Sequence, residues 1–94
     1  MKINQRTVEA VRERAAIVDL MNGRVLKKTG REFVCICPWH DDKRPSLTIS
    51  PATNRAYCFV CAKGVDSIGW LQDREGLTFS DSVVRLAERY GIQV

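Results

Sequence analysis

A chain of 94 residues, 45% of them hydrophobic, with 15 Lys and Arg against 11 Asp and Glu, has room for one domain with a modest core and a formal charge of +4. No apolar run approaches the roughly 18 residues that a membrane-spanning helix needs, and no internal repeat or low-complexity tail is present. The opening stretch through Ala16 has no apolar signal segment, so a reducing, cytoplasmic setting is expected, in which four cysteines do not form a disulfide framework.

Residues 7–23 read as a helical lead. Thr7 is placed to cap, Glu9 falls in the first turn, and Val8, Val11, Ala15 and Val18 recur at helical spacing. Ile17, Leu20 and Met21 form a second apolar face, and that shift predicts a break near Ala16. Gly23, after Asn22, closes the segment.

From Arg24 the pattern becomes extended. Residues 24–28 and 32–36 flank a turn at Thr29-Gly30-Arg31, and residues 47–50 and 55–59 flank Pro51-Ala52-Thr53-Asn54. Three to five short antiparallel strands over residues 24–63 make a ribbon, and helices can cover only one face of so small a sheet. Residues 66–91 supply two covering helices. Asp66 caps the first, which carries Ile68, Trp70 and Leu71 and stops at Gly76. Thr78 and Asp81 form a T-x-x-D box opening the second, with Phe79, Val83, Leu86, Ala87 and Tyr90 on one face and Gly91 at its end. Trp70 and Phe79 are expected in the core. The whole, residues 1–94, reads as a single small α+β domain, and because its ribbon holds all four cysteines and the only histidine it is expected to be a zinc ribbon flanked by N- and C-terminal helices.

The chemistry lies in the ribbon, which holds all four cysteines and the single histidine. Cys37 and His40 form a C-x2-H pair, Cys58 and Cys61 a C-x2-C pair, and 17 residues lie between the pairs. A two-residue gap lets a tight turn aim both donors at one ion, and a hairpin spans the long gap. The expected site is one tetrahedral, structural zinc on Cys37, His40, Cys58 and Cys61, with no open position for catalysis. A competing all-thiolate set replaces His40 with Cys35. In a C-x-C strand, however, the two side chains share a face about 7 Å apart without a turn to converge them. Cys35 then becomes a packed thiol on the strand leading into the site, on the same face as Phe33. Metal binding in such small modules contributes on the order of 10 kcal/mol, so folding and zinc loading are expected to be coupled.

Positive charge is concentrated in the same segment. Between residues 24 and 63 lie Arg24, Lys27, Lys28, Arg31, Lys43, Arg44, Arg55 and Lys63 against Glu32, Asp41 and Asp42, a balance of +5, while the remainder sums to −1. A basic surface with aromatic side chains suits a polyanion with stackable bases. Lys27, Lys28, Arg31, Lys43, Arg44 and Arg55 are the expected phosphate contacts, with Tyr57 and Trp39 as stacking surfaces. Alternation places Arg55 and Tyr57 on one strand face and turns Cys58 toward the metal. The competing arrangement buries Tyr57 beneath the helices.

These residues resemble the N-terminal CHC2-type zinc-binding domain of bacterial and phage DnaG-type DNA primases, nearly end to end. Cys37-Pro38-Trp39-His40-Asp41-Asp42-Lys43-Arg44-Pro45-Ser46-Leu47 is similar to that family's CPFHxEKTPSF signature, and Tyr57-Cys58-Phe59-Val60-Cys61 to its YHCFGCG. Ala16-Ile17-Val18-Asp19-Leu20 and Val25-Leu26-Lys27-Lys28-Thr29-Gly30 look like its opening helix and basic first hairpin. The sequence departs from the pattern at Trp39, Arg44 and Leu47, and at Val60, Ala62 and Val65, where the family carries glycines. The resemblance implies zinc on Cys37, His40, Cys58 and Cys61 and engagement of single-stranded DNA template where RNA primer synthesis starts. It also implies a primase polymerase core as partner, in cis or in trans, and the replicative helicase as a further one. Such a core needs an acidic metal-binding cluster for which 94 residues leave no room, so the chain is expected to be inactive alone. Two other functions compete: a ribbon whose basic face binds an acidic protein without touching DNA, and a duplex reader. The latter lacks the basic amphipathic helix that would enter a major groove.

Overall fold

The computed structural model describes residues 3–21, 27–39 and 44–93. Gly23, the first three residues of the first predicted strand, His40 and Lys43 therefore lie outside the described residues. The N-terminal helix α1 (Gln5–Arg14) is opened by Asn4, whose Oδ1 accepts the Thr7 N–H at 2.8 Å. Thr7, expected as the cap, is instead buried in the first turn, its hydroxyl donating to the same oxygen at 3.1 Å. The short amide of Asn4 is the group that reaches the otherwise unpaired N–H, and this sets the helix start earlier.

The break near Ala16 is present: α1 ends at Arg14 with Ala15 as its cap, and a 3-10 turn spans Ile17–Leu20. Asn54, from the distant turn of the second hairpin, holds this break. Its Oδ1 accepts the Ile17 N–H at 2.7 Å, and its Nδ2 donates to the Arg12 and Ala15 carbonyls, each at 2.8 Å. Carbonyls at a helix C-terminus have no partner within the helix, and Asn54 supplies one from outside.

Five antiparallel strands follow in sequence order: β1 (Lys27–Thr29), β2 (Glu32–Cys35), β3 (Leu47–Ser50), β4 (Arg55–Cys58) and β5 (Lys63–Val65). β2, β3 and β4 match the predicted pieces to within a residue, while β5 carries the ribbon slightly beyond residue 63. Gly30 in the first turn adopts φ 62° and Asn54 in the second φ 57°, the left-handed region that those residue types tolerate. Alternation in β3 and β4 sorts the faces cleanly: Leu47, Ile49, Ala56 and Cys58 are fully buried, while Arg55 and Tyr57 are exposed. The buried row joins one core with Val11, Ile17, Ile68, Trp70, Val83 and Leu86.

Two further helices complete that core. Asp66 caps α2 (Ser67–Glu75) through an Oδ1 contact with the Gly69 N–H at 2.8 Å, and its Oδ2 receives Arg12 Nε at 3.1 Å. Gly76 ends α2 at φ 64°. Thr78 caps α3 (Phe79–Arg89) by accepting the Asp81 N–H at 3.1 Å, and Gly91 follows it at φ 67°. Trp70 is only 4% exposed, as expected for core. Phe79 is not: it is 40% exposed, because as the first helical residue it projects back beyond the end of the packed layer.

Candidate metal centre and nucleic-acid interface

β2 and β4 both run antiparallel to β3, so both leave the sheet at the same end. The chain emerging from β2 carries Cys37, and the turn emerging from β4 carries Cys61 just after Cys58. The Sγ atoms of Cys37, Cys58 and Cys61 consequently lie within 4.8 Å of one another, with Cys37 and Cys61 at 3.8 Å. Cys35, buried at the end of β2 on the face of Phe33, is not part of this cluster.

Each turn also points an amide at a sulfur. The Trp39 N–H reaches Cys37 Sγ at 3.4 Å and the Cys61 N–H reaches Cys58 Sγ at 3.4 Å, while the buried Ser46 hydroxyl lies 3.5 Å from Cys58 Sγ. Burial pushes the Cys58 thiol up, but the Cys61 amide, the Ser46 hydroxyl, the Cys37 thiol and the Val60 amide outweigh it and bring it from 9.0 down to about 6. Cys61 is pushed up to about 12 by burial, by its hydrogen bonds to Cys58 and Cys37, and by their charge. Neighbouring thiolates at this distance repel, and a divalent cation is the counter-charge that lets all of them ionise together. The donor set, soft sulfur at tetrahedral spacing, fits zinc.

Among the described residues, no helix lies on the other face of the sheet, where Arg55 and Tyr57 are exposed. Register aligns Lys27, Val34, Thr48, Tyr57 and Gly64 in one row across the five strands, and Thr29, Glu32, Ser50 and Arg55 fall in the next. Tyr57 is 49% exposed and Phe59 66%. Glu32, Thr48, Ser50, Arg55, Tyr57 and Phe59 line an open depression of about 460 Å³. The Tyr57 ring lies over Gly64, where an added Cβ would meet Tyr57 Cδ2 at 3.0 Å. Gly64 thus gives the ring a flat bed on the strand opposite.

Residues 3–94 match the family model described as CHC2 zinc finger. The chain belongs to that family. Among curated relatives it is 46% identical to the DNA primase of Synechococcus elongatus over 99% of its own length, and 40% identical to that of Campylobacter jejuni over 90%. It spans 14% of the length of each. A crystal structure of the Aquifex aeolicus primase, comprising its zinc-binding and RNA polymerase domains, superimposes with a TM-score of 0.86 and 30% identity over 94% of this chain and 22% of that one. This chain is accordingly a CHC2 zinc finger of the primase zinc-binding type, with three cysteines clustered at one end of its five-stranded ribbon.

Within the CHC2 domain the expected interface residues separate. Lys27, Arg31, Arg44, Arg55 and Tyr57 are exposed. Lys28 is exposed too, but its register partner is Phe33, so alternation sets it on the opposite face from Lys27 and Tyr57. Trp39 is not a free stacking surface. Its ring meets Trp70 edge-on at 5.9 Å, and Lys63 Nζ sits 4.6 Å from its centroid while pairing with Asp73 at 2.6 Å. The core thus claims the tryptophan, and Asp73 neutralises Lys63. Two residues went unnoticed in the sequence. Ser46 touches Cys58, which nothing in the sequence signals; Phe59 was legible, because in a C-x2-C turn with both thiols inward the residues between them point out.

Proposed function

We propose that this chain is the single-stranded-template recognition module of a DNA primase, supporting RNA primer synthesis by a separate polymerase core in the cytoplasm. In this reading Cys37, His40, Cys58 and Cys61 hold one structural zinc, residues 1–94 act as a single module, and catalysis is left to the core. The observation that carries it is the open sheet face, where Tyr57 and Phe59 stand exposed beside Arg55. Aromatic rings take bases by stacking while a neighbouring guanidinium takes phosphate. Zinc fixes the end of β4, and so holds both aromatics in place without touching the nucleic acid.

Binding of short single-stranded DNA across a salt series tests this. Arg55→Ala is expected to lower affinity and flatten the slope of log affinity against log salt by about 0.7 per lost phosphate contact. Tyr57→Ala is expected to cost about 1–3 kcal/mol of binding with zinc content and fold intact, since the ring is half exposed. Binding that is indifferent to salt and to both substitutions would remove the proposal. Retained affinity for an acidic protein would then favour the protein-docking alternative, for which Ile36, Phe59 and Val60, respectively 41%, 66% and 60% exposed, offer apolar contact.

A further inference from the structure

A surface that only neutralises phosphate would have no use for a carboxylate, yet Glu32 lines the depression opposite Arg55, Tyr57 and Phe59, with β3 between them. Glu32 is exposed, and among the described residues its carboxylate has neither a hydrogen-bond nor an ion-pair partner. Its own segment holds the strongest positive charge in the chain, but among the described residues no cation of that segment pairs with it. A carboxylate so placed repels the backbone of a nucleic acid and can only accept hydrogen bonds, and the donors along a DNA single strand are the N–H groups of its bases.

We propose that Glu32 reads a base seated in this depression, accepting hydrogen bonds from the Watson–Crick edge of guanine, and thereby sets the template preference of the open face. The inference rests on the single-strand reading above. Guanine presents N1–H and the 2-amino group side by side, a spacing that matches the two oxygens of one carboxylate. Cytosine and adenine offer one amino group beside a ring nitrogen whose lone pair opposes the second oxygen. Thymine offers one N–H between two carbonyls and fits worst.

The sheet sets the reach. Glu32 on β2 lies two strands from β4 and one row from Tyr57, which at about 4.8 Å per strand and 6.8 Å per two residues puts their Cα atoms roughly 12 Å apart. Tyr57, Thr48 and Glu32 line the same depression, so a base seated in it against Tyr57 would present an edge toward β2 and the glutamate side chain. Arg55, beside Ser50 on the far side of the depression, is left to hold the phosphate. Thr48 and Ser50 form a polar floor between the two charges.

The test uses short oligothymidylates that carry no substitution, or a single central guanine, hypoxanthine or cytosine, titrated against the zinc-loaded chain by fluorescence anisotropy. The guanine oligonucleotide should bind about tenfold more tightly than the unsubstituted one, with hypoxanthine, which lacks the 2-amino group, in between. Glu32→Ala should erase that ratio while binding oligothymidylate at least as well as the parent, because a charge facing phosphate has been removed. Should Glu32→Ala fail to retain zinc, Glu32→Gln replaces it: its amide turns a donor toward guanine's donors, and the ratio should collapse likewise. Arg55→Ala should weaken every oligonucleotide in parallel and preserve the ratio. A guanine preference that survives both Glu32 substitutions, or a parent that binds all four equally, overturns this inference and leaves the single-strand reading standing. Failure of the parent to bind any of them overturns both.

Discussion

Replacing Asn54 tests how the ribbon is fastened to the helices. Its side chain makes three hydrogen bonds of 2.7–2.8 Å, to Ile17 N–H and to the Arg12 and Ala15 carbonyls, and its backbone sits at φ 57°. Asn54→Ala removes all three bonds at about 0.5–1.5 kcal/mol each, and adds about 1 kcal/mol for placing an alanine in the left-handed region. The expected loss is about 3–5 kcal/mol, a large share of what a domain this small possesses. Asn54→Gly carries no backbone penalty and should recover about 1 kcal/mol of it. Asn54→Asp should be the worst of the three, because a carboxylate oxygen replaces the amide NH2 and faces two carbonyl oxygens. The assay is thermal denaturation at fixed zinc and protein concentration, where each kcal/mol corresponds to about 4–8 °C for a domain of this size. An Asn54→Asp protein as stable as the parent, or Asn54→Gly within about 0.5 kcal/mol of it, would refute the claim that these bonds hold the helix break.

Two further outcomes are expected from the metal centre. Cys58→Ser should lose zinc and unfold, whereas Cys35→Ser should keep one zinc by metal analysis, because only Cys37, Cys58 and Cys61 bring their sulfurs together among the described residues. Loss of metal in Cys35→Ser with retention in His40→Ala would instead establish the all-thiolate set. Ala62, between the second thiol pair and β5, adopts φ 54°, so Ala62→Gly should stabilise the zinc-loaded domain by about 1 kcal/mol, seen as a higher melting temperature. A lower melting temperature would mean that the backbone there is not strained.

Much of this architecture is local and therefore legible in one sequence. Hairpin turns need Gly30 and Asn54 where the chain reverses, capping needs Asp66 and Thr78 where helices begin, and metal chelation needs ligands two residues apart. Each depends on neighbours in the chain, so spacing alone reports it. Alternation from Cys58 also pointed Tyr57 to the open face, with burial beneath the helices as the competing arrangement, and the structure exposes the ring.

What the sequence left open depends on contacts between distant segments. Asn54 looked like a turn residue and is also the clasp of a helix end some 40 positions away, a role that exists only once the hairpin folds back over α1. Trp39 has the composition of a stacking residue, but whether an aromatic ring is free depends on what lies against it, and Trp70 and Lys63 had arrived from α2 and β5. Lys27 and Lys28 are adjacent and equally basic, and only strand register put one on the open face and the other behind it. Glu32 was one of three acids in a basic stretch until the pairing of β2, β3 and β4 aligned it with Arg55. The sequence by itself determined the elements, the turns and the metal-ligand spacing, because those are set by near neighbours. Tertiary structure alone decided which side chains share a surface, because that follows from packing and register, which no single segment encodes.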